Sequence, residues 1–365
     1  MKKRIIATAC LTLMSGLASA ESNVQLFGIV DAGYLYQSKA NGAGSLSQFA
    51  TSGLRQSVWG IKGTEDVGNG TKAFFNLESH FDTDTGALHG TGDAPGSGTI
   101  LFRRQANVGL GNSEWGQLIL GRQYGPALLA HIGTEPRAFK EQFSNLYAWA
   151  YNMYAATAGI NGTNTNNDVG IFLKNAVQYR NTIGPVDFGV AYSFGEVAGS
   201  FSKNNIYALG ASYKGPVALS FSYQAMKDVA TGATTVKQSG LGAAYAYGDY
   251  TFKANFLNAK NHDANGASNS NVNAIGVGVD YKWNDRNSAT LAYYDNKDRN
   301  NSNDATRNIV LSNDYFLSKR TTLYVQGAYV DAKSQASIKT SIVAAGIPEQ
   351  NAKTFLLNVG INHTF

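Results

Sequence analysis

In segment after segment of this chain, apolar and polar side chains alternate one by one. Nowhere after residue 20 does an apolar run approach the roughly 18 residues that a spanning helix needs. Period two is the pattern of an extended strand, whose successive side chains point to opposite faces. The pattern is sharpest at the C-terminus, where Phe355, Leu357, Val359, Ile361, His363 and Phe365 share one face and Leu356, Asn358, Gly360, Asn362 and Thr364 the other. Thr321 to Val330 repeats it, with Leu323, Val325, Gly327 and Tyr329 opposing Tyr324, Gln326 and Ala328. Near the N-terminus Val24, Leu26, Gly28, Val30 and Ala32 alternate more weakly with Asn23, Gln25, Phe27, Ile29 and Asp31. One face suits hydrocarbon and the other suits water.

A half-buried soluble sheet alternates too, so the number of repeats and the lengths of the connections carry the argument. Sixteen alternating runs fall near 23–36, 54–65, 70–82, 100–111, 116–123, 172–182, 186–194, 205–214, 217–226, 238–247, 250–259, 271–282, 288–296, 307–316, 321–330 and 353–365. An even number lets an antiparallel sheet close with both termini on one side. Tight turns are read at Asp66-Val67-Gly68-Asn69, Asn112-Ser113-Glu114-Trp115, Ile183-Gly184-Pro185, Lys214-Gly215-Pro216, Gly248-Asp249, Asn284-Asp285-Arg286 and Leu317-Ser318-Lys319-Arg320. Between them lie long polar stretches such as Gln37 to Gly53, Thr83 to Gly98, Lys260 to Ser270, Asn296 to Thr306 and Asp331 to Gln350. Short turns at one end and long loops at the other are the polarity of an outer-membrane barrel.

Irregular backbone in lipid would leave peptide groups unpaired at several kcal/mol each, so such a barrel closes completely. About eight strands are filled by their own side chains, whereas sixteen to eighteen leave an aqueous channel. The expected fold is all-β: a 16-stranded antiparallel transmembrane β-barrel with short periplasmic turns, long extracellular loops and an inward-folded third loop. That loop spans about 124–171, and Tyr147, Trp149, Tyr151 and Tyr154 stand in it among Ala and Asn. It is too apolar for a fully solvated loop, so part of it is expected to enter the lumen. A separate extracellular subdomain or a disordered insert is the alternative.

Lys2, Lys3 and Arg4 precede a short apolar run from Ile5 to Leu17 and the small residues Ala18-Ser19-Ala20, the layout of a secretory signal peptide with an A-x-A cleavage site. Residues 1–20 are therefore read as a signal peptide and 21–365 as one barrel domain. Cleavage would remove Cys10, the one cysteine, and with it any disulfide framework. It would also remove three of the basic residues behind the formal charge of +5, leaving a balance too even for a nucleic-acid surface. Gly at 40 and Pro at 6, with Tyr at 20 and Phe at 18, suit barrel strands better than a soluble enzyme.

No G-x-S-x-G elbow, H-E-x-x-H or C-x-x-C occurs, so neither an enzyme nor a cofactor is expected. His80, His89, His131, His262 and His363 are scattered without metal-ligand spacing, and no metal is expected on them. Asp82-Thr83-Asp84 offers two carboxylates where calcium takes six or more oxygens.

Several runs are specific enough to resemble a family. Ser57-Val58-Trp59-Gly60-Ile61-Lys62-Gly63-Thr64-Glu65-Asp66-Val67-Gly68-Asn69-Gly70-Thr71-Lys72-Ala73 resembles the second and third strands of the general porins of β-proteobacteria, trimeric sixteen-stranded proteins. Leu101-Phe102-Arg103-Arg104-Gln105-Ala106-Asn107-Val108-Gly109-Leu110 and Gly121-Arg122-Gln123-Tyr124 are similar to their fourth and fifth strands. Asn175-Ala176-Val177-Gln178-Tyr179 resembles the sixth, and Gly360-Ile361-Asn362-His363-Thr364-Phe365 the closing strand.

The resemblance implies an outer-membrane porin, a water-filled channel for passive diffusion of ions and small hydrophilic solutes with a mild preference for anions. It implies a homotrimer with one pore per subunit, with outer-membrane lipid, lipopolysaccharide and the barrel-assembly machinery as further partners. It also implies a cluster of wall arginines facing acidic groups on the inward loop. Arg104 matches the family's fourth-strand pore arginine, and Arg122 matches one at the end of the fifth strand, where a subunit contact is the other reading. Where the family commonly has arginine before the second-strand aromatic this chain has Val58, so strong anion selectivity is not expected. Phe365 matches the terminal aromatic read by the assembly machinery, a role compatible with interface anchoring.

Alternation turns Val58, Gly60 and Lys62 inward from the second strand, and Lys174, Gln178 and Arg180 from the sixth. In the fourth it would turn Arg103 inward and Arg104 outward, against the resemblance; Arg104 is taken as the pore residue and Arg103 as the alternative. The expected constriction is a basic wall of Arg104, Lys62 and Arg180, joined by Arg122 and opposed by Glu135 and Glu141 on the loop. Arg103, Lys174, Gln178 and Asp168 are further candidates for the lining, and an ordinary solvated side chain is the competing reading for each. Two rival functions stand beside the general pore: a channel specific for a sugar or aromatic acid, kept open by the loop tyrosines, and a barrel protease or lipase, for which the nucleophile cluster is missing.

Overall fold

The computed structural model describes residues 23–40, 42–89, 100–150, 164–168, 170–340, 345 and 348–365. The segment read as a signal peptide, and Tyr151 and Tyr154 of the long loop, lie outside these residues. The chain runs through β1 (Asn23–Gln37), β2 (Leu46–Thr51), β3 (Val58–Gly68), β4 (Thr71–His80), β5 (Gln105–Asn112) and β6 (Gly116–Tyr124). Two short helices follow, α1 (Pro126–Leu129) and α2 (Asn145–Ala150), then β7 (Asn167–Asp168). The rest is strand after strand: β8 (Phe172–Ile183), β9 (Val186–Ser193), β10 (Ile206–Tyr213), β11 (Val217–Lys227), β12 (Thr234–Tyr247) and β13 (Tyr250–His262). Last come β14 (Ser268–Asn284), β15 (Asn287–Asp298), β16 (Ala305–Phe316), β17 (Thr321–Ala332) and β18 (Ala352–Thr364). β2 and β7 are short flaps inside segments read as loops, and the other sixteen strands form the wall, each on one of the alternating runs.

Every pairing is antiparallel, and the sheet closes where Ile29–Gln37 of β1 pairs with Thr364–Leu356 of β18. On its other side β1 pairs with β3 below and β2 above. Tight turns work as read. Gly248 takes φ +57°, which opens the two-residue turn between the paired Tyr247 and Tyr250 at little steric cost.

Following the register around the wall shows which face is which. Asn358 lies opposite Gln326, Gln326 opposite Ser312, and Ser312 opposite Thr290, and all four are buried. Their strand neighbours Val359, Val325, Leu311 and Leu291 are 42% to 60% exposed, the reverse of a soluble protein. Only a hydrocarbon solvent makes such an outer face favourable. The seam is locked from inside by Asp31, whose carboxylate accepts from Gly53, Leu54 and Arg55 N–H, the Tyr324 hydroxyl and the Asn362 amide.

The described part of the long third loop, residues 125–150, lies inside the barrel and travels around its inner wall. His131 bonds Ser220 and Ser222 of β11, and the Tyr294 hydroxyl of β15 donates to Glu135 at 2.6 Å. Arg137 donates to Gln326 of β17, and Lys140 pairs with Asp314 of β16 at 2.9 Å. The amides of Glu141 and Gln142 then donate to Leu54 and Gly53 C=O. On the return, Asn145 exchanges two hydrogen bonds with Asn255 of β13, and the Trp149 indole donates to Asn258 C=O.

Inward-facing glycines leave the room this path needs. A Cβ at Gly210 would collide with Pro126, at Gly240 with His131 and at Gly242 with Thr134, while one at Gly278 would lie 2.9 Å from Pro136 Cβ. The replacement Gly240→Val should therefore unseat the loop at a cost of about 1–3 kcal/mol from overpacking. A lower midpoint in heat-modifiable gel migration and faster proteolysis within 125–150 are expected; no change in either would show that the glycines do not seat the loop.

Candidate pore constriction

The expected basic residues divide into separate groups, because β5 begins only at Gln105 and alternation does not govern what precedes it. Gln105 and Asn107 do turn inward, opposite Glu78 and Asn76 of β4, and Val108 and Leu110 turn outward. Arg104 precedes the strand, so its side chain is free to come inward as well. It forms an ion pair with Glu78, donates to the Tyr124 hydroxyl, and stacks within 5.3 Å of the Phe172 ring. The carboxylate of Glu141 also acts on it.

Arg103 makes a two-pronged contact with Asp168, 2.9 Å from each oxygen. Arg122 sits at the bulge in β6 and reaches the same carboxylate at 2.6 Å. Asp168 thus binds two guanidinium groups at the root of the loop. Glu135 is fully buried under Tyr294, away from Arg104, and its second oxygen accepts the amides of Arg137 and Phe139. The structure brings Arg104 to Glu141 and Arg103 with Arg122 to Asp168, while Glu135 is held by Tyr294 and by Arg137 of its own loop.

Below the loop the lumen is open. One hollow of about 800 Å³ is lined by Lys62 of β3, Lys72 and Asn76 of β4, Gln105, Gln117 and Arg180 of β8, with no carboxylate among its lining residues. A second, of about 480 Å³, runs beneath Pro126 and Leu129 and shares Gln117 and Arg180 with the first. Lys62 rests over the Phe27 ring at 5.2 Å. Gln178 is buried on the inward face beside Arg180, whereas Lys174 lies on the far side of Asn175, whose φ of +50° marks the irregularity at which the alternation of β8 shifts. Lys72 was missed in the sequence because it sits next to a turn, where two-faced patterning is weakest. Phe365 packs its ring over Gly28 and exchanges backbone hydrogen bonds with it.

Two consequences can be measured. Arg104→Ala leaves Glu78 buried with Gln105 as its remaining donor, and loss of one partner from a buried pair costs roughly 3 kcal/mol or more. Arg103→Ala should cost less, since Asp168 keeps Arg122; equal drops in melting midpoint would contradict this pairing. His131, on the loop, has its imidazole pushed down to about 4 by burial. Docking therefore favours the neutral ring, and its contribution is lost as pH falls from about 6.5 towards 4. Proteolysis within 125–150 should rise over that window in the wild type and stay flatter in His131→Gln.

Comparison with known proteins agrees with this geometry. A family model described as Gram-negative porin matches residues 7–335. The chain is 29% identical to outer membrane porin protein 32 of Delftia acidovorans, with all of both chains covered. It is 30% identical to an outer membrane porin protein of Bordetella pertussis over 68% of this chain and 66% of that one. Among solved structures, the anion-selective porin from Comamonas acidovorans superposes with a TM-score of 0.79 at 26% identity, covering 94% of this chain and 100% of that one. The chain belongs to the Gram-negative porin family and is an outer-membrane porin, a water-filled barrel for passive diffusion.

Proposed function

We propose that this channel prefers small anions, and that Lys62, Lys72 and Arg180 set the preference in the open lumen beneath the third loop. The observation that carries this reading is the hollow they line, which holds three cations and no carboxylate among its lining residues. The acids nearest the loop root are already engaged, Glu78 with Arg104 and Asp168 with Arg103 and Arg122. Two unit charges 4 Å apart interact by about 1 kcal/mol in bulk water and about 4 kcal/mol at an effective dielectric near 20. A solute confined beside three fixed cations therefore feels them far more than it would in bulk. The relative from Comamonas acidovorans, described as anion-selective, points the same way.

In this reading Arg104 shapes the loop root rather than meeting solutes, and Arg122 and Arg103 hold Asp168. Residues 1–20 direct export and are removed, leaving 21–365 as the barrel. The mature chain assembles as a homotrimer in contact with lipopolysaccharide, and Phe365 presents the terminal aromatic to the assembly machinery. No chemical step is assigned to it. A channel dedicated to an aromatic acid is less favoured, since Trp149 is fully buried with its indole bonded to Asn258.

Planar-bilayer recording in asymmetric KCl tests the proposal. Lys62→Ala and Arg180→Ala should each shift the reversal potential towards cations, and the double variant further. Selectivity should fade from 0.1 M to 1 M salt as the Debye length shrinks from about 10 Å to about 3 Å. A reversal potential unmoved in the double variant would take both residues out of the selectivity site.

A further inference from the structure

The end of β4 gathers three metal-ligating side chains that diffusion through the pore does not use. At His80 the chain turns back at once: Phe81 bridges Leu88, the Asp82 amide donates to Ala87 C=O, and the His89 amide donates to His80 C=O at 2.9 Å. In such a hairpin residues two apart share a face, and directly opposed residues bring their Cβ atoms to about 5 Å. His80 and Asp82 are two apart, and His89 lies opposite His80. The two imidazoles stack with centroids 4.0 Å apart, His89 Nδ1 lies 2.6 Å from Asp82 Oδ1, and a ligand atom from each of the three falls within 4.8 Å of the others.

A second observation points to a ligand. His80 is 4% exposed, and its Nε2 has no hydrogen-bond partner among the described residues. Buried polar atoms are normally satisfied, and leaving one unmade is costly; an imidazole lone pair is also what a transition-metal ion accepts. The neighbouring guanidinium groups do not forbid a cation, because Arg103 is paired with Asp168 and Arg104 with Glu78. The His89 and Asp82 side chains are 29% and 24% exposed, which gives an ion a way in.

We propose that His80, Asp82 and His89 form a site for one divalent transition-metal ion at the extracellular mouth, with Zn²⁺ the best match. Two imidazoles and one carboxylate are a three-ligand zinc set that leaves a fourth position to water. Calcium and magnesium take oxygen ligands in larger number and do not suit it. A bound ion clamps the end of β4 to the returning strand and so fixes the base of the second extracellular loop. Because it binds the folded hairpin, it raises the stability of that loop root as its concentration exceeds its Kd.

The test uses the untagged, metal-stripped protein purified in detergent, titrated with ZnCl₂ by calorimetry and with CoCl₂ by visible absorption. One ion per chain is expected, with the intense cobalt bands of a four-coordinate site. His89→Ala and Asp82→Asn should each weaken binding at least about tenfold, while His262→Ala leaves it unchanged. Wild-type protein that binds zinc no better than these variants overturns the proposal, as does tight binding that survives both. If His89→Ala fails to assemble, Asp82→Asn alone decides by the same criterion. Displacement of zinc by an equal concentration of MgCl₂ would overturn the transition-metal assignment.

Discussion

A peptide group in hydrocarbon has no water to bond, so every strand edge of a membrane sheet must find a partner. In this chain that obligation is met at the seam between β1 and β18, and the rest of the architecture follows from it. Closure fixes the pleat, and the pleat fixes two faces. Polar side chains such as Asn358, Gln326 and Thr290 become the buried ones, while Val359, Val325 and Leu291 become the exposed ones. The carboxylate of Asp31, bound by five donors from three parts of the chain, ties the first loop to the place where the sheet meets itself.

A closed wall of sixteen strands encloses more space than its own side chains fill. The third loop takes up part of it, and the wall is shaped to receive it: glycines at 210, 240 and 242 stand where Pro126, His131 and Thr134 approach. The loop is fastened by buried polar contacts spread over β11, β15, β16 and β17. Such contacts contribute little net stability on their own, because the desolvation of each group offsets the attraction, yet removing one partner is costly. Their effect is to specify one path for the loop, and the open cross-section that remains beneath it carries Lys62, Lys72 and Arg180.

Period-two patterning was legible wherever both faces of a strand meet uniform surroundings, as in β17 and β18. It failed where the chain leaves the sheet. Arg103 and Arg104 looked like strand residues of opposite orientation, but β5 starts after them, and each turns to its own carboxylate. Glu135 and Glu141 could be read as acids of an inward loop, yet nothing in their spacing tells that one ends under Tyr294 and the other near Arg104. His80 and His89 looked scattered because the hairpin that sets them face to face has no sequence period of its own.

By itself, then, the sequence determined the class of solvent on each side of the sheet, the number of wall strands, which connections are short, and that one long loop is too apolar to live in water. These are local properties, since each follows from residue type and the alternation of a strand. Tertiary structure alone decided the route of the loop, which carboxylate each arginine meets, and which cations are left facing the aqueous path. Those outcomes depend on contacts between residues tens to hundreds of positions apart, such as Arg137 with Gln326, and such distances leave no trace in local pattern.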